Sequence, residues 1–217
     1  MMLVRIGLRI TITILLVWSI GLQSNAQTVA GVKFGLSAPY ISPEDIAVNY
    51  DGVNYYDIKV DHAAYGVHAG VFLEATMGHF FIQPELLFNS STVNYLVDTI
   101  YTLSDANARV AETYRNLDMP LMMGYKAGVL RIGAGPVGHL YVSSENGFEG
   151  YEGYQPDFEK FTYGWQAGIG FDFWKLHFDV RYESNQAQFG DHLTFFGKDF
   201  DFATDNSRFI GSVGLSF

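Results

Sequence analysis

The chain has 217 residues, of which 13 are basic and 23 acidic, giving a net charge of −10, and it contains no cysteine. So acidic a balance argues against nucleic acid as a partner, because phosphates demand a basic face, and the missing cysteines exclude disulfides and a lipoprotein anchor. Aromatic residues at 16%, 23 glycines and only 17% charged residues make an odd composition for a water-soluble domain.

Taken in chain order, residues 1–9 carry Arg5 and Arg9 and no acid, residues 10–22 form the apolar run "ITITILLVWSIGL", and "QSNAQ" follows. This is the three-part pattern of a secretory signal peptide, with Ser24 and Ala26 as the small residues and cleavage between Ala26 and Gln27. A membrane-spanning helix would need about 17–25 apolar residues. The expected organisation is a signal at 1–26 and one domain at 27–217. Removing the signal leaves 11 basic against 23 acidic residues, a net charge of −12. Such a chain is poorly suited to a surface of anionic lipid held by basic residues. No second apolar segment of helix length follows, so a membrane form must cross by strands.

Period-2 alternation dominates the rest of the chain. It predicts eight strands near 29–37, 63–75, 80–95, 110–125, 129–142, 161–173, 176–186 and 207–217. In "LHFDVRYE", Leu176, Phe178, Val180 and Tyr182 point one way, and His177, Asp179, Arg181 and Glu183 the other. "YGWQAGIGFDF" and "YGVHAGVFLEA" repeat the scheme with one apolar face and one small-or-polar face. Connections alternate in length. "TMGH", "AGV" and "WK" are hairpin-sized, whereas 38–62, 96–109, 143–160 and 187–206 are long and rich in Asp, Glu, Asn, Tyr and Gly. Short turns at one end and long loops at the other are the pattern of a transmembrane barrel with periplasmic turns and extracellular loops. The expected fold is therefore all-β: an eight-stranded antiparallel up-and-down transmembrane β-barrel. Pro84, Pro120 and Pro136 fall inside predicted strands and lead us to expect bulges or strand ends there.

Periodicity leaves two ways to roll the sheet. A soluble barrel of the lipocalin type would turn the apolar face inward. Eight strands, however, leave an interior just wide enough for side chains, which suits the glycine-rich polar face. That face carries both charge signs: Lys33, Glu74, Glu85, Asp118, Arg131, Asp172, Asp179, Arg181, Glu183 and Arg208. A buried charge needs a partner, so Arg131, Arg181 and Arg208 are expected to pair with Glu85, Asp118, Asp179 and Glu183 and to plug the lumen. Tyr163, Phe173, Trp174, Tyr182 and Phe217 fall near strand ends, as an interfacial girdle requires.

Motifs for chemistry are weak. "GAGPVG" at 133–138 spells G-x-G-x-x-G, but "HLYVSS" follows where a dinucleotide site needs a helix. The histidines at 62, 68, 79, 139, 177 and 192 show no zinc spacing, and His68 and His177 fall on the polar face. Asp199, Asp201, Asp205 and Asn206 share one acidic loop that lacks the glycine and terminal glutamate of a calcium loop. Ser184, Asn185, Asp191 and His192 could be assembled into a lipid-modifying group, though no motif singles them out. No catalytic residue, cofactor or metal ligand is expected.

The stretches "NLDMPLMMGYKAGVLRIGAGPVGHLYV" (116–142), "GWQAGIGFDFWKLHFDVRYE" (164–183) and "GVKFGLS" (31–37) resemble the PorT-like outer-membrane barrel family of Bacteroidota. The resemblance implies an outer-membrane barrel, some members of which are tied to protein secretion and surface assembly, and it carries no catalytic residues. The expected protein is thus a non-enzymatic anchor or assembly component in the outer membrane of a Gram-negative bacterium, exported by the Sec route. A narrow pore for small solutes and a lipid-modifying enzyme are the alternatives. Its expected partners are outer-membrane lipid, the barrel-insertion machinery and a protein met through the extracellular loops, where "NYDGVNYYD" and "ENGFEGYEGYQPDFE" offer aromatic, acidic contact. The terminal "FIGSVGLSF" should close the barrel against the first strand, and a final aromatic resembles the signal that the insertion machinery reads. Deleting Phe217 should therefore deplete the protein from outer membranes in fractionation experiments while leaving its detergent-folded spectrum intact; normal membrane levels would contradict this.

Overall fold

The computed structural model describes residues 27–40, 45–50, 53–99, 108–146, 154–156, 160–185, 193–195, 198–200 and 207–217. Every regular element among them is a strand: β1 (Gln27–Tyr40), β2 (Asp45–Tyr50), β3 (Val53–Ala63), β4 (Gly66–Met77), β5 (Phe80–Thr99), β6 (Ala108–Ala127), β7 (Leu130–Asn146), β8 (Tyr154–Pro156), β9 (Phe161–Phe173), β10 (Leu176–Asn185), β11 (Leu193–Phe195), β12 (Lys198–Phe200) and β13 (Ser207–Ser216). β1, β4, β5, β6, β7, β9, β10 and β13 pair in that order, each antiparallel to the next, and β13 returns to β1. The barrel is closed.

Register gives the barrel its dimensions. Stepping between paired residues leads from Thr28 through Ala75, Ile82, Met123, Ala134, Ala167, Tyr182 and Phe209 to Ala38, ten residues from the start. With a rise of ~3.3 Å per residue and strands ~4.8 Å apart, that stagger tilts the strands by about 40° and sets a radius of about 8 Å.

The faces are inverted relative to a water-soluble protein. Phe34, Ile169 and Val180 are 59%, 64% and 58% exposed, whereas Lys33, Glu74 and Glu183 are at most 1% exposed. The lipocalin-type arrangement is thereby excluded. Aromatic side chains gather at both ends of the outward apolar band. Phe80, Tyr125, Phe173, Trp174 and Phe217 stand at the rim of the tight turns, and Tyr65, Phe161, Tyr163, Tyr182 and Phe209 stand toward the opposite rim.

Three tight turns join β4–β5, β6–β7 and β9–β10. Each has two central residues, and the first has positive φ: Gly78 and Gly128 at 63° and Trp174 at 56°. That is the type II′ pattern, in which glycine is the usual first residue. Trp174 adopts it at a strain of about 1–3 kcal/mol.

The described strands differ from the sequence expectation in three ways. β5 and β7 run four residues past their expected ends at 95 and 142, and β6 runs two past each end of 110–125, to 20, 17 and 20 residues, beyond the roughly 9–11 that cross a bilayer. Within the segment expected to be the first long loop, the β2–β3 hairpin extends the sheet by pairing β3 with the far half of β5. Finally, β8, β11 and β12 form a small separate sheet from segments read as the third and fourth loops.

The prolines make neither bulges nor strand ends. At Pro84, Pro120 and Pro136 the ladders skip residue pairs and resume in unchanged register. Keeping register preserves the inward and outward faces across each proline. Beside Pro136 the backbones of β6 and β7 come so close that a Cβ on Gly135 would collide with the Leu121 carbonyl oxygen. Gly135→Ala should therefore destabilise the barrel by ~1–3 kcal/mol, the usual penalty of overpacking. Urea unfolding in micelles, read by heat-modifiable gel mobility, checks this; an unchanged midpoint would contradict the close approach.

Candidate functional site

Strand alternation sends every second side chain into a lumen too narrow for bulk water, so the inward residues must fill it and satisfy one another. Aromatic wedges do part of the filling. The Phe72 ring lies against Gly31 and Gly214, and the Phe81 ring against Gly133. A cation sits over each ring, Lys33 Nζ 5.4 Å from the Phe72 centroid and the Arg131 guanidinium 5.7 Å from that of Phe81. The glycines of "GAGPVG" thus make room for a ring and for backbone contact, and β7 continues through His139 to Asn146 with no helix to receive a dinucleotide.

The rest of the lumen is an ionic column. Near the tight-turn rim, Lys126 Nζ lies 2.9 Å from Glu74 and 2.7 Å from Asp172. Arg131 reaches the same two carboxylates at 3.1 and 2.8 Å and then Asp179 at 3.1 Å. Mid-barrel, Lys33 bridges Asp179 at 2.8 Å and Glu85 at 2.6 Å, and Arg181 meets Glu85 at 2.7 Å. Gln83 and Gln166 stitch the layers together: Gln83 accepts from Arg131 at 2.6 Å, and Gln166 accepts from Arg181 at 3.1 Å while donating to Glu183 at 2.7 Å. Toward the opposite rim, Arg208 joins Glu183 and Asp118, both at 2.7 Å. His139 presents Nδ1 to Asp118 at 2.7 Å and Nε2 to the Asn185 amide oxygen at 3.0 Å. Five cations meet six carboxylates in one connected chain from rim to rim. Near-balance matters, because an unpaired charge in so dry a space would cost several kcal/mol.

Every residue of the charged set named from sequence lies in this column: Lys33, Glu74, Glu85, Asp118, Arg131, Asp172, Asp179, Arg181, Glu183 and Arg208. His177 is here too, bonded to Asp172 at 2.9 Å, while His68 sits apart, 3.2 Å from Ser212 Oγ. Sequence reading did not single out Lys126, Gln83, Gln166, His139 or Asn185 as members. The signal was present, since Gln83 shares the parity of Glu85, His139 that of Arg131, and Lys126 that of Asp118.

The other candidate groups fare differently. Ser184 is exposed on the outer face of β10, whereas Asn185 turns inward to Glu183; Asp191 and His192 lie outside the described residues. Ser184 and Asn185 thus point to opposite faces of β10. The acidic-loop residues Asp201, Asp205 and Asn206, like Ala26 at the cleavage site, also lie outside them. Glu74, Asp172 and His177 come within 4.8 Å of one another through their ligand atoms, a trio that no sequence spacing announces. Lys126 and Arg131 already hold the two carboxylates, so a metal ion would have to displace two cations. At the tight-turn rim the Phe217 amide donates to the Ala30 carbonyl at 3.1 Å, which ties the chain end to β1, while its ring stays 75% exposed.

A family model described as the outer membrane protein beta-barrel domain matches residues 10–185. No match was found among curated proteins.

The column makes a stability prediction. Arg181→Met leaves Glu85 and Asp179 with Lys33 as their shared cation and should cost ~3–5 kcal/mol. Adding Glu85→Met removes the orphaned carboxylate, leaves Lys33 on Asp179, and should restore most of the loss. A double-mutant cycle by urea unfolding in micelles measures this; equal and additive losses would show that the two groups are not coupled.

Proposed function

The chain belongs to the outer membrane protein β-barrel domain family, and we propose that it is a closed, non-enzymatic anchor: a structural, secretion- or assembly-associated component that holds a protein-contacting rim at the membrane surface. As an integral outer-membrane barrel it turns its apolar band to lipid. The observation that carries the proposal is the ionic column, which among the described residues fills the lumen from rim to rim with paired side chains. Beside Arg131, Asp179 and Arg181 lies a cavity of about 10 Å³, room for roughly one water molecule. A charge-filled interior of this kind stiffens a barrel and opposes conduction, so the narrow-pore reading is the weaker one.

The length of β5, β6 and β7, with β2 and β3 alongside, supports a contact role. Their sheet continues past the span that lipid needs and forms a wall on one side of the rim. Within this proposal residues 1–26 are a Sec-type signal, the tight turns face the periplasm and the extended wall faces outside. The "GAGP" hairpin and its neighbours favour the PorT-like branch, and hence a Gram-negative, Bacteroidota-type host. A partner would meet the extended wall and the acidic, aromatic segments around it.

Reconstituted into planar bilayers, the protein should give no discrete conductance steps. Reproducible channels whose conductance changes in Arg181→Ala would overturn the anchor reading in favour of a pore. Pull-down from outer membranes in gentle detergent should recover a stoichiometric protein partner; a lipid A acyl or headgroup change that depends on the protein would instead favour the enzyme.

A further inference from the structure

We propose that the outer wall at the closing seam holds a site for a single lipid acyl chain, centred on Gly211. The inference requires only that this wall faces lipid and goes beyond the anchoring role. Two glycines occupy outward positions in the described barrel strands. Gly138 is roofed by the Phe161 ring, 2.9 Å from where a Cβ would stand. Around the Cβ position of Gly211 there is nothing within 4 Å. Register sets Val180 and Leu36 across from Gly211 on the two neighbouring strands, and Phe209 and Val213 follow the same face along β13. A missing side chain inside a ring of bulky ones is a depression.

That depression has a volume of about 420 Å³, with Phe34 and Tyr65 completing its wall. Its surface is almost entirely apolar, and the side chains around it are among the most exposed on the barrel: Phe34 59%, Leu36 57% and Tyr65 76%. It lies across β1 and β13, on the half of the barrel toward the rim opposite the tight turns.

The occupant follows from the surroundings. On a face turned to hydrocarbon, a dent left unfilled forfeits dispersion contacts on one side, and water cannot replace them. A flexible methylene chain fills an irregular trough at little conformational penalty, and a trough gives it more contact than a flat wall. Among the described residues no charged side chain lines the trough, so recognition is of the chain and not of a headgroup. Tyr65 at its upper end offers an aromatic ring at the level where a lipid passes from chain to headgroup.

Gly211 has a backbone conformation open to other residues and free space around its Cβ, so Gly211→Phe should fold normally while filling the site. The experiment uses the full barrel folded into vesicles of palmitoyl-oleoyl phosphatidylethanolamine, then gently extracted and weighed by native mass spectrometry. Wild type should retain one phospholipid per barrel, Gly211→Phe should lose it, and Met123→Phe, on a different wall, should keep it. Circular dichroism and heat-modifiable mobility establish that all three are folded. The proposal is overturned if wild type retains no lipid, if Gly211→Phe retains as much as wild type, or if Met123→Phe loses the lipid equally. A wild-type dimer that Gly211→Phe dissolves would also overturn it, since the occupant would then be a second copy of this chain.

Discussion

Eight strands staggered by ten residues enclose a space only about 16 Å across between backbones, and the chemistry of the chain follows from having to fill it. Lipid surrounds the outside, so the wall cannot open to admit solvent sideways, and every backbone amide in the hydrocarbon must be paired. Closure supplies that pairing, with Phe34 opposite Val213 and Gly31 opposite Ser216 along the seam. Once closed, the barrel has an interior whose size can no longer be adjusted. Inward side chains then pack against glycines, as Phe72 and Phe81 do, find an opposite charge, or hydrogen-bond a neutral partner.

The ionic column is best understood as a consequence of that enclosure. Taken singly, a buried ion pair barely repays its desolvation. Here the pairs share partners: Arg131 meets three carboxylates, and Glu85 meets two cations. Sharing lets each charge satisfy several neighbours, so the removal of any one group is felt along the lumen. The same arrangement ties strands that are not neighbours, since Lys33 on β1 meets Glu85 on β5 and Asp179 on β10. A rigid, closed cylinder is a suitable support for the asymmetric wall built by β2, β3, β5, β6 and β7.

How far the sequence could be read depends on which part of this is local. Inward and outward positions follow from a period of two, so "LHFDVRYE" and "FIGSVGLSF" disclose their faces with no tertiary knowledge. Gln83 obeyed the same parity yet drew no notice, because an uncharged polar residue looks ordinary along a strand, and Lys126 lay one residue past the expected strand end at 125. The prolines were misjudged for a different reason. A proline in isolation argues for a bulge, but neighbouring ladders on both sides hold register across Pro84, Pro120 and Pro136. Most of the length of β5 and β6 was legible, and only their last two to four residues were missed, because polar, alternating strand ends read much like loop.

By itself, the sequence determined the eight barrel strands, the alternation of faces, the tight turns and most of the charges in the lumen, since all of these are properties of short segments. Only the tertiary structure decided which charges meet. Arg131 lies 57 positions from Glu74 and Arg181 lies 96 from Glu85, and those separations close only when eight registers are combined around a ring. The depression at Gly211 has the same origin, because an outward glycine becomes a trough only when Val180 and Leu36 stand beside it. Local periodicity specifies what each strand shows; the accumulated stagger specifies what faces what.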